Sequence, residues 1–239
     1  MKSILYHFLR LFLPKWVLVD MGNRLTHPYW RRRRVDLPEL DRQATIGLGE
    51  RMEKASSRQA FRYVSERKVL AALADAKAHR IVDVGCGVGH TVRFLADKGF
   101  EVHGITINPQ EVASRAHENV RLGDIQRDPA TWNPDGQIFD AILCFDCLEH
   151  LESPLAALRN INRLLKPGGL FIAHLPSARW TECDYHVICY TPRQFRWLLN
   201  LAGFDLVRRT GRYYFKKHGP TYYATKVHEG RMVYPGALQ

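Results

Sequence analysis

Ile81-Val82-Asp83-Val84-Gly85-Cys86-Gly87-Val88-Gly89-His90 decides how this chain folds. An apolar run broken by one acid ends on a glycine, and glycine then recurs at alternate positions before helix-forming residues resume. The pattern is that of a buried strand over 81–84, a tight loop and then a helix. Glycines so placed let the backbone turn sharply and let a ligand lie directly on it. The loop N–H groups and the positive end of the helix then face an electron-rich ligand. The dinucleotide fingerprint, G-x-G-x-x-G, needs its third glycine where this chain has His90. Here the third glycine is Gly89, so a pyridine dinucleotide is not the expected ligand.

Working outward, apolar runs alternate with amphipathic stretches. Strands are expected at 81–84, 101–106, 120–122, 139–145 and 169–175, with helices near 90–98, 109–118, 154–165 and 192–202. Phe61, Val64, Val69, Leu70 and Leu73 recur at helical spacing and predict a further helix over 57–77. Alternation of this kind gives an α/β fold with a doubly wound, mostly parallel sheet. Ser153-Pro154 reads as an N-cap followed by proline in the first helical turn. Lys166-Pro167-Gly168-Gly169 ends that helix, and Thr191-Pro192-Arg193-Gln194 has the form of a capping box. The chain divides into an N-terminal helical and basic extension, 1–56, and a ligand-binding domain, 57–239.

At 239 residues and 46% apolar composition the chain can bury a full core without a disulfide or metal staple. Five scattered cysteines do not make a secreted disulfide framework, and a reducing cytoplasm is the expected compartment. Cys144 and Cys147, with Cys183, His186 and Cys189 further on, can be read as zinc ligands. Cys144 falls inside an expected buried strand, so small apolar packing is the preferred reading. The net charge of +11 is uneven: +9 over residues 1–80, −3 over 81–180 and +5 over 181–239. Such a field suits an anionic partner, whether an acidic small molecule, a lipid surface or nucleic acid.

The first 20 residues are apolar but broken by His7, Arg10, Pro14 and Lys15, short of the roughly 18 apolar residues of a membrane span. No small-x-small cleavage site follows, so no signal peptide is expected. The apolar surface of this segment, with Arg31-Arg32-Arg33-Arg34 behind Tyr29-Trp30, can dock residues 1–34 peripherally on an anionic membrane. Packing on the domain or along a homodimer seam is the commoner use of such a helix and is preferred.

With the glycines and the downstream segments taken in order, D-x-G-x-G-x-G over Asp83–Gly89 resembles the first motif of the class I S-adenosylmethionine-dependent methyltransferases. The resemblance covers residues 80–176 and continues more weakly to Gly203. It implies a seven-stranded Rossmann-like sheet, with segments 205–210 and 221–228 pairing as the antiparallel hairpin after the fifth strand. It places S-adenosylmethionine, left as S-adenosylhomocysteine after transfer, against Asp83, Gly85, Cys86, Gly87, Gly89, Thr106, Ile107, Asp124, Ile125 and Phe145. At Thr106-Ile107-Asn108 the chain departs from the family, because no acid stands where one normally clamps the ribose hydroxyls. Gly104-Ile105-Thr106-Ile107-Asn108 is similar to the corresponding stretch of cyclopropane fatty-acid synthases. Within the resemblance Asp124 accepts the adenine amino group and Ile125 lies on the ring; an Asp in an ordinary turn is the alternative. Leu148-Glu149-His150-Leu151 and Leu164-Leu165-Lys166-Pro167-Gly168-Gly169 are similar to the "LEHL…LLKPGG" run of small-molecule methyltransferases.

Glu149, His150 and His186 are the candidate catalytic residues. The D-x-x-E-H spacing of Asp146, Glu149 and His150 resembles the E-x-x-E-H divalent-metal site of ubiquinone-biosynthesis O-methyltransferases and small-RNA 2′-O-methyltransferases. Three candidate ligands fall short of the usual octahedral set, and Glu-His after this strand also occurs without metal, so no metal ligand is assigned. His186 lies where relatives carry a substrate loop, and its imidazole can take a hydroxyl proton. Trp180, Tyr185, Tyr190 and Trp197 are expected to line or support that side. The expected function is O-methylation of a small-molecule or lipid-linked acceptor by a cytoplasmic enzyme, with a place at the membrane periphery kept open. RNA 2′-O-methylation and a non-enzymatic binding protein are the rival readings. No RNA-binding module is recognisable in the sequence, which makes nucleic acid an unlikely partner.

Overall fold

The computed structural model describes residue 61 and residues 64–133, 135–177, 186–211 and 219–229. The expectations for the membrane-docking or dimer-forming segment 1–34, for Cys183 and for Trp180 and Tyr185 lie outside these residues.

Seven strands form one sheet in the order β3-β2-β1-β4-β5-β7-β6. They are β1 (Arg80–Val84), β2 (Glu101–Thr106), β3 (Val120–Leu122), β4 (Phe139–Phe145), β5 (Leu165–His174), β6 (Phe204–Thr210) and β7 (Thr221–Lys226). β1 to β5 pair in parallel, while β7 runs antiparallel to both β5 and β6. The helices are α1 (Glu66–Asp75), α2 (His90–Ala96), α3 (Pro109–Ala113), α4 (Pro154–Leu164) and α5 (Pro192–Leu201), with short 3-10 turns at Pro129–Thr131 and Leu148–His150. The doubly wound, mostly parallel sheet expected from the alternation is present.

Both faces of the central strands are covered, which is why β1, β4 and β5 read as continuous apolar runs. Successive residues alternate between two cores. Val82, Val84, Ile142, Cys144 and Phe171 pack with Leu158 and Ile161 of α4 and Phe195 and Leu199 of α5. Ile81, Ala141, Leu143 and Ile172 pack with Val69 and Leu73 of α1 and Val92 and Leu95 of α2. Each such buried side chain contributes roughly 1.5–3 kcal/mol by leaving water. Among the described residues no helix is long and apolar enough to cross a membrane.

Several boundaries depart from expectation for identifiable reasons. The helix expected over 57–77 begins only at Glu66, because Phe61 has φ +59 and, with Val64, is buried ahead of the first turn. The helix expected over 109–118 stops at Ala113: the Ser114 hydroxyl donates back to the Gln110 carbonyl at 2.8 Å, and the Ala116 N–H is taken by the Val88 carbonyl at 2.7 Å. β5 begins at Leu165 rather than 169, since Leu165 already pairs with Phe139 before the register shifts between Phe139 and Ala141. The Thr191–Gln194 capping box forms as read, but Ser153 makes no side-chain cap; its N–H donates instead to Gln126 Oε1 at 2.8 Å. The register also shifts between Leu206 and Arg208 on β6.

Asp140 ties the start of three strands together. Its Oδ2 accepts from the N–H groups of His79 (2.9 Å) and Arg80 (2.7 Å), and its Oδ1 pairs with Lys166 of β5. Partial burial alone would raise its pKa, but the Arg80 N–H, Lys166 and the His79 N–H outweigh it and hold the carboxyl at about 2. A depressed acid stabilises the fold above its unfolded value and stops doing so as pH falls through about 2. Asp140→Asn should therefore cost on the order of 1 kcal/mol at pH 7, after allowance for solvent screening, and progressively less below pH 4. Thermal melts of both proteins across that range measure the convergence.

Candidate active site

In a parallel sheet the loops at the carboxyl ends of the strands converge, and ligands bind there. Here β1 to β4 end around a cavity of about 270 Å³. Val84, Gly85 and Gly87 form its floor; Thr106 and Ile107 follow β2; Gly123, Asp124, Ile125 and Gln126 follow β3; Asp146, Cys147 and His150 follow β4. Gly85, Gly87 and Gly89 all have left-handed backbones, with φ of +75, +57 and +88. At Gly85 there is also no room: a Cβ would lie 2.6 Å from Cys147 Sγ.

Gly85, Gly87, Thr106, Ile107, Asp124, Ile125 and His150 are thus brought together in the cavity lining. The other nominated residues lie outside that lining, for distinct reasons. Asp83 is 3% exposed and, by strand alternation, points to the face opposite Val84. Cys86 turns toward Gly104, where a Cβ would meet its Sγ at 2.7 Å. Gly89 occupies the left-handed N-cap of α2, and Phe145 packs against the Phe61 ring with centroids 6.0 Å apart. Tyr190 is buried and its hydroxyl donates to the Leu148 carbonyl at 3.1 Å, so it supports the 3-10 turn. Trp197 is 62% exposed on α5 and lines no part of the cavity.

Glu149, His150 and His186 do come together, although only His150 reaches the cavity. Glu149 is 1% exposed; its Oε1 lies 3.8 Å from His150 Nε2 and 3.9 Å from His186 Nε2. The two imidazoles meet edge to face at 4.9 Å. The D-x-x-E-H set is split, however. Asp146 has φ +49 and turns away to His174, with 2.8 Å between Asp146 Oδ1 and His174 Nδ1. His186 takes the third place beside Glu149 and His150.

Glu111 escaped the reading of the sequence. It lies in the first turn of α3, lines the cavity, and accepts a hydrogen bond from the Thr106 hydroxyl. Its Oε1 would stand 3.7 Å from a Cβ at Gly87, so the carboxylate is at the glycine turn. The resemblance implies an acid directly after β2; this one stands five residues beyond Thr106, carried back by the Asn108-Pro109 helix start. Asn108 caps that start by accepting from the Gln110 N–H at 3.0 Å. A glutamate within one helical turn of a strand's end was the available signal.

A family model described as a methyltransferase domain matches residues 56–209. The chain belongs to the methyltransferase-domain family. A ubiquinone biosynthesis O-methyltransferase from Xanthomonas campestris pv. campestris (strain B100) is 37% identical over 105 residues, covering 40% of this chain and 43% of that protein. A 2-methyl-6-phytyl-1,4-hydroquinone methyltransferase from Synechocystis sp. is 36% identical over 110 residues, 44% of this chain and 33% of that protein. The chain thus spans less than half the length of these curated relatives. An S-adenosylmethionine-dependent methyltransferase of Clostridium acetobutylicum shares the fold at a TM-score of 0.56 and 12% identity, over 67% of this chain and 89% of that one. The sheet of this methyltransferase domain, including its antiparallel β6–β7 pair, is the one the resemblance implied.

Burial pushes Asp83 far above the usual carboxylate range, to about 7. A raised acid contributes its full stability below its unfolded value and loses it as pH climbs through about 7. Asp83→Asn should leave the melting temperature unchanged near pH 4 and raise it relative to the parent at pH 8. A pH-independent difference between the two melting curves would contradict this assignment.

Proposed function

We propose that this domain is an S-adenosylmethionine-dependent O-methyltransferase acting on a small or lipid-linked hydroxyl compound. The observation that carries the reading is the cavity itself, where Gly85 and Gly87 of the glycine turn meet Asp124, Ile125 and His150. Gly85 and Gly87 would accept the amino-acid end of the cofactor, and Glu111 with Thr106 the ribose hydroxyls. Asp124 and Ile125 would take the adenine. Glu111 answers the absence of an acid directly after β2, which removes the main reason to favour a non-enzymatic binding protein.

When bound, the cofactor supplies an already activated methyl group, so the protein has mainly to align, dehydrate and deprotonate. His150 is the cavity-facing base, in place of His186. Glu149 lies 3.8 Å from His150 Nε2, so its carboxylate stands beside the ring that would take the hydroxyl proton. It also stabilises the imidazolium that results, while His186 packs behind the pair. As the acceptor oxygen became methylated, His150 would hold the proton it releases.

A divalent ion fits only in part. Glu149, His150 and His186 offer donor atoms within 4.8 Å of one another, enough for three ligands. Asp146, the remaining residue of the D-x-x-E-H spacing, stands outside that group and pairs with His174. The function therefore assigns no step to a metal. An RNA acceptor fits less well: Glu111, Asp124 and Asp146 line the cavity, and among the described residues no lysine or arginine does. The likeness to a ubiquinone biosynthesis O-methyltransferase favours a hydroxyl as acceptor.

Isothermal calorimetry with S-adenosylmethionine tests the reading. Gly87 needs its φ of +57, and Gly87→Arg should abolish binding while circular dichroism shows a folded chain. Retained affinity places the ligand elsewhere. His150→Gln should lower kcat on a quinol-type acceptor by about 10²–10⁴-fold and leave cofactor affinity within a few-fold. An unchanged kcat would exclude His150 as the base.

A further inference from the structure

Three observations single out Asp146. It is a non-glycine residue with φ +49, a conformation that L side chains seldom adopt and that marks functional turns. Both its main chain and its side chain are fixed by one neighbour: its N–H donates to the His174 carbonyl at 3.1 Å, and its Oδ1 lies 2.8 Å from His174 Nδ1. His174 is itself 1% exposed at the end of β5, so the anchor is rigid. Yet Asp146 is not sequestered; it lines the cavity, with a third of its side chain exposed. A carboxylate offers roughly four acceptor positions, so engagement by His174 leaves capacity for a ligand.

Its position specifies what that ligand group is. The next residue, Cys147, lies directly against Gly85, so Asp146 belongs to the glycine-turn end of the cavity. In the function proposed above, that end receives the methionine portion of the cofactor, with its sulfonium and ammonium groups. Asp124, after β3, would face the nucleoside portion, which is the same before and after methyl transfer; Glu111, at the glycine turn, is taken up by the Thr106 hydroxyl and would serve the ribose hydroxyls. S-adenosylmethionine carries one positive charge more than S-adenosylhomocysteine, and that charge sits in the methionine portion.

We propose that Asp146, held by His174 beside the glycine turn, reads the positive charge of the bound cofactor and so distinguishes S-adenosylmethionine from the product. The inference rests on S-adenosylmethionine as the cavity's ligand. His174 is a positioning residue: it aims the carboxylate without touching the ligand. The arrangement favours the charged donor over the spent thioether in a cavity where no lysine or arginine, among the described residues, offsets the acid.

Calorimetric affinities for both compounds provide the test. Asn tolerates the left-handed backbone, so Asp146→Asn removes the charge with little change of shape. It should weaken S-adenosylmethionine about tenfold or more, the scale of one charge-assisted hydrogen bond, and S-adenosylhomocysteine by less than about threefold. His174→Gln, which retains a donor, should fall between parent and Asp146→Asn in this ratio. In the unsubstituted protein, added sodium chloride should weaken S-adenosylmethionine binding more steeply than S-adenosylhomocysteine binding. This last measurement needs no variant to fold. Equal losses for the two compounds, or matching salt slopes, would overturn the inference and leave the proposed function standing. Failure of the parent protein to bind either compound would remove both.

Discussion

The close approach of two loops at Gly85 is the constraint on which the site depends. β1 and β4 are neighbours, and the chain leaving β4 passes so near the chain leaving β1 that a single added carbon would lie 2.6 Å from Cys147 Sγ. The missing side chain lets Cys147 settle over the turn, and the positive φ carries the backbone under the cavity rather than into it. Because Asp146, Glu149 and His150 follow on the same segment, their placement is inherited from that contact. A bulkier residue at 85 would displace the whole β4 loop, not one side chain.

Much of this architecture was legible because it rests on local rules. The Thr191-Pro192-Arg193-Gln194 box forms because hydroxyl, proline and glutamine occupy positions where orphan helix N–H groups need them. The central strands were legible because double-sided burial demands unbroken apolar runs. What escaped depends on tertiary encounters that spacing does not encode. α3 is cut short because Ala116 meets Val88 across the fold, and Ser153 fails as a side-chain cap because Gln126 arrives from 27 residues away.

The candidate site divides along the same line. Gly85, Gly87 and the residues after β3 were apparent from strand ends, where ligand clefts of parallel sheets lie, although Cys86 and Phe145 at the same ends turn elsewhere. Glu111 was not, because its role comes from the geometry of a helix start rather than from adjacency to a strand. In the D-x-x-E-H stretch, five consecutive residues do not reveal that β5 brings His174 to Asp146 from 28 residues downstream. Charge behaves similarly. The sequence is basic by +11, yet the described cavity is lined by three carboxylates, so the global sign says little about the local field.

Among the described residues β6 is the last strand on its side of the sheet, and the outer backbone groups of a last strand can pair with a further β segment. Such a rim invites another β segment to add itself and propagate. Here the register break between Leu206 and Arg208 bends the rim, and Arg208 and Arg209 load it with like charge, Arg208 stacking 4.2 Å over the Tyr223 ring. An approaching copy of the strand would meet a kinked border and electrostatic repulsion together. A kink and paired arginines on a last strand are features that disfavour edge-to-edge addition, a hazard that open sheets share.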